Sequence, residues 1–230
     1  MTVRISKTKD YAIVTGDIIA SSRLSVAQRR ALHAAMSRAS SALRRAFKSA
    51  VPVPVVIFRG DSWQLLVTDP VAVLRIALFY RASLRAEIDA RGVDTRMAIA
   101  IGRIDFIPGE QIAEGDGPAY RLSGRALEAM TKRERMRLVY PSHPEERALG
   151  MVVHLLDAIV SRWSDKQALA VSGALRGWSQ EQIAKTSWSE PISQQAVAQH
   201  LERAAWSYVE SALAYFEETL APTAERRKSL

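Results

Sequence analysis

Two aspartates follow glycines in otherwise apolar segments, Asp17 in "IVTGDIIASS" and Asp61 in "FRGDSW". Carboxylates at strand ends, beside glycines that permit close backbone approach, suit Mg²⁺ or Mn²⁺, which take one or two carboxylates together with substrate phosphates. With two such ions, one would activate a hydroxyl while the other holds a triphosphate. The two segments are therefore either two separate turns or the two halves of one metal and phosphate site.

The residues next to these aspartates have the chemistry to bind phosphates. The backbone N–H groups around Ile18, Ser21 and Ser22, at the start of a predicted helix, could donate hydrogen bonds to phosphate oxygens. Gly60 would let a ligand approach the backbone beside Asp61. We therefore expect a nucleotide to bind here together with Mg²⁺ or Mn²⁺, and to contact Gly117 farther along the chain as well.

Two arginines farther along the chain are candidates for catalysis. Arg121 and Arg125 are four residues apart, so they share one face of a helix. Guanidinium groups in that position could neutralise the charge that builds on a transferring phosphate. We expect both arginines to lie near the metal site.

The elements that must position these residues alternate between strand and helix. Hydrophobic patterns predict strands at 11–17, 95–107 and 135–142, a hairpin at 51–69, and helices from about Ser25, over 70–91 and over 122–132. The order strand, helix, strand, strand, helix, strand predicts a ferredoxin-like α+β sheet of the nucleotidyl cyclase or palm type. In that topology the first strand ends beside the hairpin tip, so Asp17 and Asp61 would meet at one edge of the sheet.

Helical patterns alone continue beyond Pro144. Two short helices are each opened by a serine that can cap it, Ser179 and Ser193, and the second serine is followed by a longer amphipathic helix that reaches about Leu220. This pattern predicts a helix-turn-helix. We expect a cyclase-like domain over 1–145, an all-α helix-turn-helix domain over 146–220 and a disordered tail over 221–230.

The second of these helices carries side chains that can read DNA bases, followed by a cation: Ser193, Gln194, Gln195, Gln199, His200 and Arg203. The net charge of the helical part favours DNA binding only weakly, because residues 146–230 carry 9 Lys/Arg against 10 Asp/Glu. Residues 1–145 are basic, with 23 Lys/Arg against 14 Asp/Glu. DNA binding would then need a homodimer or help from the basic first domain. The alternative is a helical domain for dimerisation or partner docking.

The composition excludes several classes of protein. The 230-residue chain has no cysteine, which excludes a disulfide framework, a thiolate metal site and a thiol nucleophile. No apolar run approaches the roughly 20 residues that span a bilayer, and the N-terminus lacks the apolar core of a secretory signal. We expect a cytoplasmic protein without a membrane partner.

Four motifs resemble those of class III nucleotidyl cyclases. "VTGDIIASSRLS" resembles the first metal motif, "IFRGDSWQ" the second and "TRMAIAIGRI" the strand that follows, while "GPAYRLSGRA" resembles the closing helix motif, from Gly117 to Arg125. Over nearly its whole length the chain resembles the SatD family, bacterial proteins that join such a domain to a C-terminal helix-turn-helix. The resemblance implies a metal pair at Asp17 and Asp61 and a phosphate or transition-state arginine at Arg125.

The chain departs from the cyclase pattern at three positions that bear on activity. It has Arg121 where cyclases place an asparagine, Ile57 where adenylyl cyclases place a base-selecting lysine, and Ser62 where diguanylate cyclases place a glutamate. These changes argue against ordinary adenylyl or diguanylate cyclase activity more than against nucleotide binding.

Three hypotheses follow for the function. The first is a dimeric, nucleotide-responsive regulator in which an occupied first domain biases a DNA-binding second domain. The second is a metal-dependent nucleotidyl cyclase or oligonucleotide synthase whose helical domain serves assembly. The third has both domains acting only in protein assembly, without binding nucleotide or DNA.

Overall fold

The computed structural model describes residues 4–58, 60–88 and 93–222. Over these residues the protein is a mixed α+β chain with one five-stranded sheet and eight α-helices. The strands are β1 (Tyr11–Ile19), β2 (Val56–Phe58), β3 (Ser62–Val67), β4 (Asp94–Gly102) and β5 (Met136–Val139). The helices are α1 (Val26–Ala46), α2 (Val73–Glu87), α3 (Pro118–Glu128), α4 (Glu146–Val160), α5 (Asp165–Ala174), α6 (Gln180–Thr186), α7 (Gln194–Arg203) and α8 (Trp206–Leu220).

The sheet has the order β2-β3-β1-β4-β5. β1 lies in the middle and is antiparallel to both β3 and β4, while β2 and β3 form a hairpin. β5 is parallel to β4 at the far edge, and α3 connects these two strands along the chain. This arrangement leaves the end of β1 between the hairpin and the start of β4.

Local sequence explains where α1 begins and which side it buries. Ser25 caps the helix, because its hydroxyl accepts from the Gln28 N–H while the Gln28 side chain accepts from the Ser25 N–H. Leu32 and Met36 are buried, whereas Arg30 is exposed on the opposite side. The apolar face of α1 thus joins the core cluster that includes α2 and the sheet, and its arginines face solvent.

Helix α2 is a central part of the hydrophobic core. It packs against α1 and β4 on one side and against α5 on the other, and most of its side chains are buried. One continuous cluster of buried residues includes members of the sheet, α1, α2 and the helices from α4 to α8. The division of the chain at residue 145 therefore remains a proposal about domains that share this core.

The bounds of several elements differ from the sequence-based prediction, since α2 spans 73–87 rather than 70–91 and β4 spans 94–102 rather than 95–107. α3 spans 118–128 rather than 122–132, because Gly117 has a φ of 145° and Pro118 occupies the first helical turn. The long helix expected to reach Leu220 is broken between α7 and α8, where Ala205 has a φ of 56°. Most of the tail predicted to be disordered, residues 223–230, lies outside the described residues.

In the part of the chain that the structure describes, no helix combines the length and the apolar character needed to cross a membrane.

Candidate functional site

β1 and the β2–β3 hairpin bring Asp17 and Asp61 to the same edge of the sheet. Asp17 pairs with Ser62 in the β1–β3 register, and Asp61 is the residue just before Ser62. The Ile18 N–H donates to the Asp61 carbonyl at 3.1 Å, which continues the strand pairing to the hairpin turn. Both aspartates are half-buried. The two Gly-Asp segments are therefore neighbours in space.

The glycine before Asp17 is required by a buried tryptophan. A Cβ on Gly16 would stand 2.4 Å from the Trp63 ring, so no larger residue fits without movement. The Trp63 Nε1–H donates to Thr95 Oγ1 at 2.8 Å, and the Thr95 hydroxyl donates to the Asp17 carbonyl at 2.8 Å. Trp63 thus belongs to the core and fixes the backbone of Asp17.

Arg96 in β4 holds the Asp17 carboxylate. The two residues are directly opposite in the β1–β4 register. The Arg96 Nε–H donates to Oδ1 at 2.8 Å and to Oδ2 at 3.0 Å, and Nη2–H donates to Oδ2 at 2.8 Å. These hydrogen bonds raise the pKa of Arg96 above its usual range. Asp17 is therefore paired with a fixed positive charge.

Ser21 contacts the other aspartate. It lies in a short 3₁₀ turn, Ser21–Arg23, between β1 and α1. Its hydroxyl donates to Asp61 Oδ2 at 2.5 Å. The segment after Asp17 thereby returns to the hairpin tip and places the Ser21 hydroxyl oxygen beside the Asp61 carboxylate.

Two open clefts share Asp61 as a common wall. The first, here called the serine cleft, has a volume of about 450 Å³ and is lined by Ser21, Ser22, Arg29, Leu32, His33, Gly60 and Asp61. The second, here called the cationic cleft, has a volume of about 400 Å³ and is lined by Asp17, Ile18, Ile19, Ala20, Asp61, Ser62, Arg96, Lys132 and Arg135. Asp61 is thus accessible from both sides of the hairpin tip.

The donor chemistry at Asp17 and Asp61 suits a hard cation only in part. Two carboxylates and the Ser21 hydroxyl are oxygen donors of the kind that Mg²⁺ takes alongside water and phosphate. Both oxygens of Asp17, however, already accept hydrogen bonds from Arg96. Among residues 4–58, 60–88 and 93–222, no group of three or more His, Asp or Glu side chains could hold a metal ion. A cation at this edge would therefore depend on oxygens from its ligand.

Gly117 stands at the start of α3, and Arg121 and Arg125 lie within this helix. The Ala119 N–H donates to the Arg103 carbonyl, just past the end of β4 that pairs with Tyr11, so α3 begins at the sheet edge opposite Asp17. None of the three residues lines either cleft.

Each of these three residues has another contact. Arg121 pairs with Asp116 at 2.7 Å, and the Arg125 Nε–H donates to the Arg121 carbonyl at 3.2 Å. A Cβ on Gly117 would stand 2.7 Å from the Asp105 backbone nitrogen, so this glycine allows the helix start to pack closely. These contacts favour a structural role for Gly117.

The remaining phosphate-binding candidates, Ile18, Ser21, Ser22 and Gly60, differ in whether a phosphate could reach them. The Ile18 N–H is not available to a phosphate, because it is used in the bond to Asp61, and Ile18 lies in a strand rather than at a helix start. Ser21 and Ser22 line the serine cleft. Gly60 is exposed in the hairpin turn with a φ of 85°, a conformation that glycine adopts at little cost.

Five charged or titratable residues of the clefts were missed by the sequence reasoning: Arg29, His33, Arg96, Lys132 and Arg135. Arg96 could have been found only by assuming the β1–β4 register. Lys132 and Arg135 belong to the charged segment "KRER" between α3 and β5, whose density of charge is a usable signal. The cations near Asp17 thus come from β4 and this segment, not from α3.

Helices α5, α6 and α7 pack on one another. Ser179 and Ser193 cap α6 and α7, as the sequence predicts. α5 and α6 cross closely, since a Cβ on Gly173 would stand 2.6 Å from Ile183 Cγ1. The connection between α6 and α7 covers residues 187–193, which is longer than the usual turn of three to four residues in a helix-turn-helix.

The residues predicted to read DNA differ in their exposure. Gln194, Gln195, Gln199 and Arg203 are exposed on α7. The Ser193 hydroxyl accepts from the Ala196 N–H and so serves the cap. His200 is half-buried and stacks on Trp188 with a centroid distance of 5.2 Å. The three glutamines and Arg203 are therefore the predicted residues best placed to contact a partner.

Comparison with known proteins gives a likeness in fold and none in sequence family. No protein-family model and no curated protein matches the chain. Its fold is similar to the crystal structure of the guanylyl cyclase Cya2, with a TM-score of 0.41 and 9% sequence identity, over 60% of this chain and 77% of that chain. At this distance the function has to be argued from the geometry of the clefts.

Proposed function

We propose that the edge of the sheet formed by Asp17 and Asp61 binds the phosphates of a nucleotide together with Mg²⁺ or Mn²⁺. The observation that carries this proposal is that two aspartates far apart in sequence share one cleft with the cations Arg96, Lys132 and Arg135. Mixed charges of this kind match a ligand that is itself an anion with a bound cation.

The residues of the chain have separate roles in this proposal. Lys132 and Arg135 line the cationic cleft and attract the phosphates by their positive charge. Asp61 supplies a carboxylate oxygen to the cation, and Ser21 positions that carboxylate by its hydrogen bond. A bound Mg²⁺ or Mn²⁺ would neutralise phosphate charge and lower the pKa of a coordinated hydroxyl.

The serine cleft is the place we propose for the rest of the nucleotide. It adjoins the cationic cleft at Asp61 and is lined by Leu32 and His33 from α1. An apolar side chain beside polar groups suits a sugar or a base better than a second phosphate group. Arg29, which lines the same cleft, donates to the Leu24 carbonyl and so is partly engaged by the protein itself.

At the level of the fold, we propose that β1 to β4 with α1 and α2 form a ferredoxin-like unit of the nucleotidyl cyclase type, as in the SatD family. The strand order β2-β3-β1-β4 with antiparallel neighbours supports this proposal. β5 is then an addition at the β4 edge.

Binding without turnover is the form of this function that the geometry favours. A cyclase or oligonucleotide synthase needs cationic groups at the transferring phosphate, and the arginines expected in that role, Arg121 and Arg125, are absent from the lining of both clefts. Enzymatic conversion of a nucleoside triphosphate remains the second candidate. It would require Arg96 or Arg135 to replace the α3 arginines.

We further propose that α5, α6 and α7 form a helix-turn-helix that contacts DNA through Gln194, Gln195 and Gln199. Their exposure and the capped start of α7 support this proposal. A homodimer would supply two such helices to one DNA site. Met151 in α4 and Tyr208 in α8 are exposed apolar side chains that could contribute to a dimer surface.

A route for coupling between the two parts runs through α2. Arg81 in α2 bonds both Asp94, at the start of β4, and Asp157 in α4. Asp94 pairs in register with Ile19, which lines the cationic cleft. A ligand that moves this edge of the sheet would therefore act on groups bonded to α4.

The experiment that tests the binding site is a thermal-shift panel. Nucleoside mono-, di- and triphosphates and cyclic nucleotides are each added with Mn²⁺ to the wild type, to Asp61→Asn and to a matched control, Asp105→Asn. Asp105 is an exposed aspartate just beyond the opposite end of β4. A ligand at 100 times its dissociation constant stabilises the folded state by about 2.7 kcal/mol.

Stabilisation of the wild type and of Asp105→Asn, but not of Asp61→Asn, supports the site. Equal stabilisation of all three proteins, or of none, contradicts it. Incubation of a stabilising triphosphate with the protein, followed by chromatography of the products, then separates binding from turnover.

A further inference from the structure

The Arg96 guanidinium is hydrogen-bonded to the Asp17 carboxylate, which a cation would need as a ligand. Three hydrogen bonds of 2.8, 2.8 and 3.0 Å join it to the two oxygens of Asp17. The Arg96 side chain is 32% exposed and that of Asp17 is 23% exposed. The pair therefore forms part of the wall of the cationic cleft, where ligands can reach it.

A divalent cation on Asp17 would meet this guanidinium at close range. Asp17 Oδ1 accepts one hydrogen bond from Arg96 and keeps a lone pair for a metal, whereas Oδ2 accepts two. The obstacle is charge, because a doubly charged ion bound to Asp17 would lie a few ångströms from a fixed positive group in a partly buried site. Binding of the cation to the unliganded protein is therefore opposed by Arg96.

A phosphate offers Arg96 another partner. Lys132 and Arg135 line the same cleft, so three cationic side chains face the two carboxylates Asp17 and Asp61 there. A phosphate drawn to these cations can accept a bidentate pair of hydrogen bonds from a guanidinium, as a carboxylate does. Movement of Arg96 from Asp17 to the phosphate would then free the Asp17 oxygens.

We infer that Arg96 is an internal counter-ion of Asp17 that competes with a divalent cation and exchanges Asp17 for phosphate when the ligand binds. This inference rests on the proposed function. It follows that phosphate and cation bind with positive coupling, because each removes the interaction that opposes the other. The cation alone should bind weakly, and its affinity should rise when a phosphate ligand is present.

Replacement of Arg96 by glutamine separates the two halves of this exchange. Isothermal titration of Arg96→Gln with Mn²⁺ alone should show tighter binding than the wild type, by roughly tenfold or more, which corresponds to about 1.4 kcal/mol. Titration with inorganic triphosphate alone, in a buffer with a chelator, should show weaker binding by a similar factor. The two changes have opposite signs, whereas damage to the structure would weaken both.

Three further variants complete the test. Arg103→Gln removes an arginine that pairs with Asp10 at 2.9 Å beyond the other end of β4, and it should change neither affinity. Asp17→Asn added to Arg96→Gln should abolish the gain in Mn²⁺ affinity. Arg96→Lys keeps the charge without the bidentate geometry and should bind Mn²⁺ with an intermediate affinity. This variant provides the test if Arg96→Gln does not fold.

Opposite changes in the two affinities support the inference. An unchanged or weaker Mn²⁺ affinity in Arg96→Gln overturns it, and so does an unchanged triphosphate affinity. If these signs are absent while the wild type still binds nucleotide with Mn²⁺ in the thermal-shift panel, the inference alone is wrong. If no variant binds either probe and the panel shows no stabilisation, the proposed function is wrong as well.

Discussion

The Arg81 Nη1–H of α2 donates to Asp157 Oδ1 of α4 at 2.8 Å, and both side chains are buried. Arg81 also bonds Asp94 at 2.7 Å, and Asp157 Oδ2 accepts from the backbone N–H of Arg135 at 2.7 Å. Removal of one partner from a buried ion pair leaves the other charge without compensation. The network therefore joins the start of β4, α2, α4 and the segment before β5.

We expect Arg81→Met to lower the free energy of unfolding by about 3–5 kcal/mol, because Asp157 would stay buried without its guanidinium. Urea denaturation followed by circular dichroism measures this loss. The matched control is Arg38→Met, since Arg38 pairs with Glu87 at the surface and is 60% exposed. That change should cost less than about 1 kcal/mol. Similar losses in both variants would contradict the role given to the buried network.

The contact between Gly16 and Trp63 leads to a second expectation. Gly16→Ala should lower the free energy of unfolding by about 1–3 kcal/mol, because the new methyl group overlaps the Trp63 ring and the Arg96 carbonyl. Gly124→Ala in the middle of α3 is the control, since its Cβ would meet no atom within 4 Å. It should raise stability by about 0.5–1 kcal/mol. Differential scanning calorimetry distinguishes the two signs, and a neutral Gly16→Ala would refute the packing argument.

His200 gives an expectation about pH. Partial burial, with the charges of Lys166 and Arg203, holds the pKa of His200 below its usual value of 6.5. The unfolded chain then binds more protons in the interval between the two pKa values, so stability rises with pH there. The contribution of His200 is present above about pH 6.5 and is lost as the pH falls through the folded-state pKa.

NMR titration of the imidazole signals, with His200→Gln for assignment, measures this pKa. Trp188→Ala should move it back towards the usual value, because the stacked indole ring shields the imidazole from water. A pKa of His200 at or above 6.5 in the wild type would contradict the partial burial of the imidazole beside Trp188, Lys166 and Arg203.

The exposed glutamines of α7 are expected to determine any DNA sequence preference. Selection from a pool of random duplexes should enrich a sequence with the wild type and fail with Gln195→Ala/Gln199→Ala, since a lost bidentate base contact costs about 1–3 kcal/mol. Gln111→Ala, an exposed glutamine in the loop after β4, is the control and should enrich the same sequence. Enrichment by the double variant would exclude α7 as the reading helix, and absence of enrichment by the wild type would favour a helical domain for assembly.

The sequence predicts the α+β character and the nearness of Asp17 and Asp61 well, for a physical reason. Apolar runs and their turns are local signals, and together they define the order of strands and helices. That order, with short connections, leaves few places for the end of β1 other than beside the β2–β3 hairpin.

The cations of the site could not be predicted in the same way. Arg96 faces Asp17 because of the β1–β4 register, which depends on contacts between residues about 80 positions apart. Arg121 and Arg125 are predicted to lie near the aspartates, but neither lines the two clefts, and their roles stay a prediction. The break at Ala205 carries neither glycine nor proline, so no local signal marked it.

The claim that Asp17 and Asp61 are two halves of one site is tested most directly by a double-mutant cycle. The quantity measured is the thermal stabilisation that ATP or GTP with Mn²⁺ gives to the wild type, Asp17→Asn, Asp61→Asn and the double variant. Residues of one site are strongly non-additive, so each single variant should lose most of the stabilisation and the double variant should lose little more. Additive losses, or stabilisation retained in both single variants, would show that the two Gly-Asp segments are separate turns.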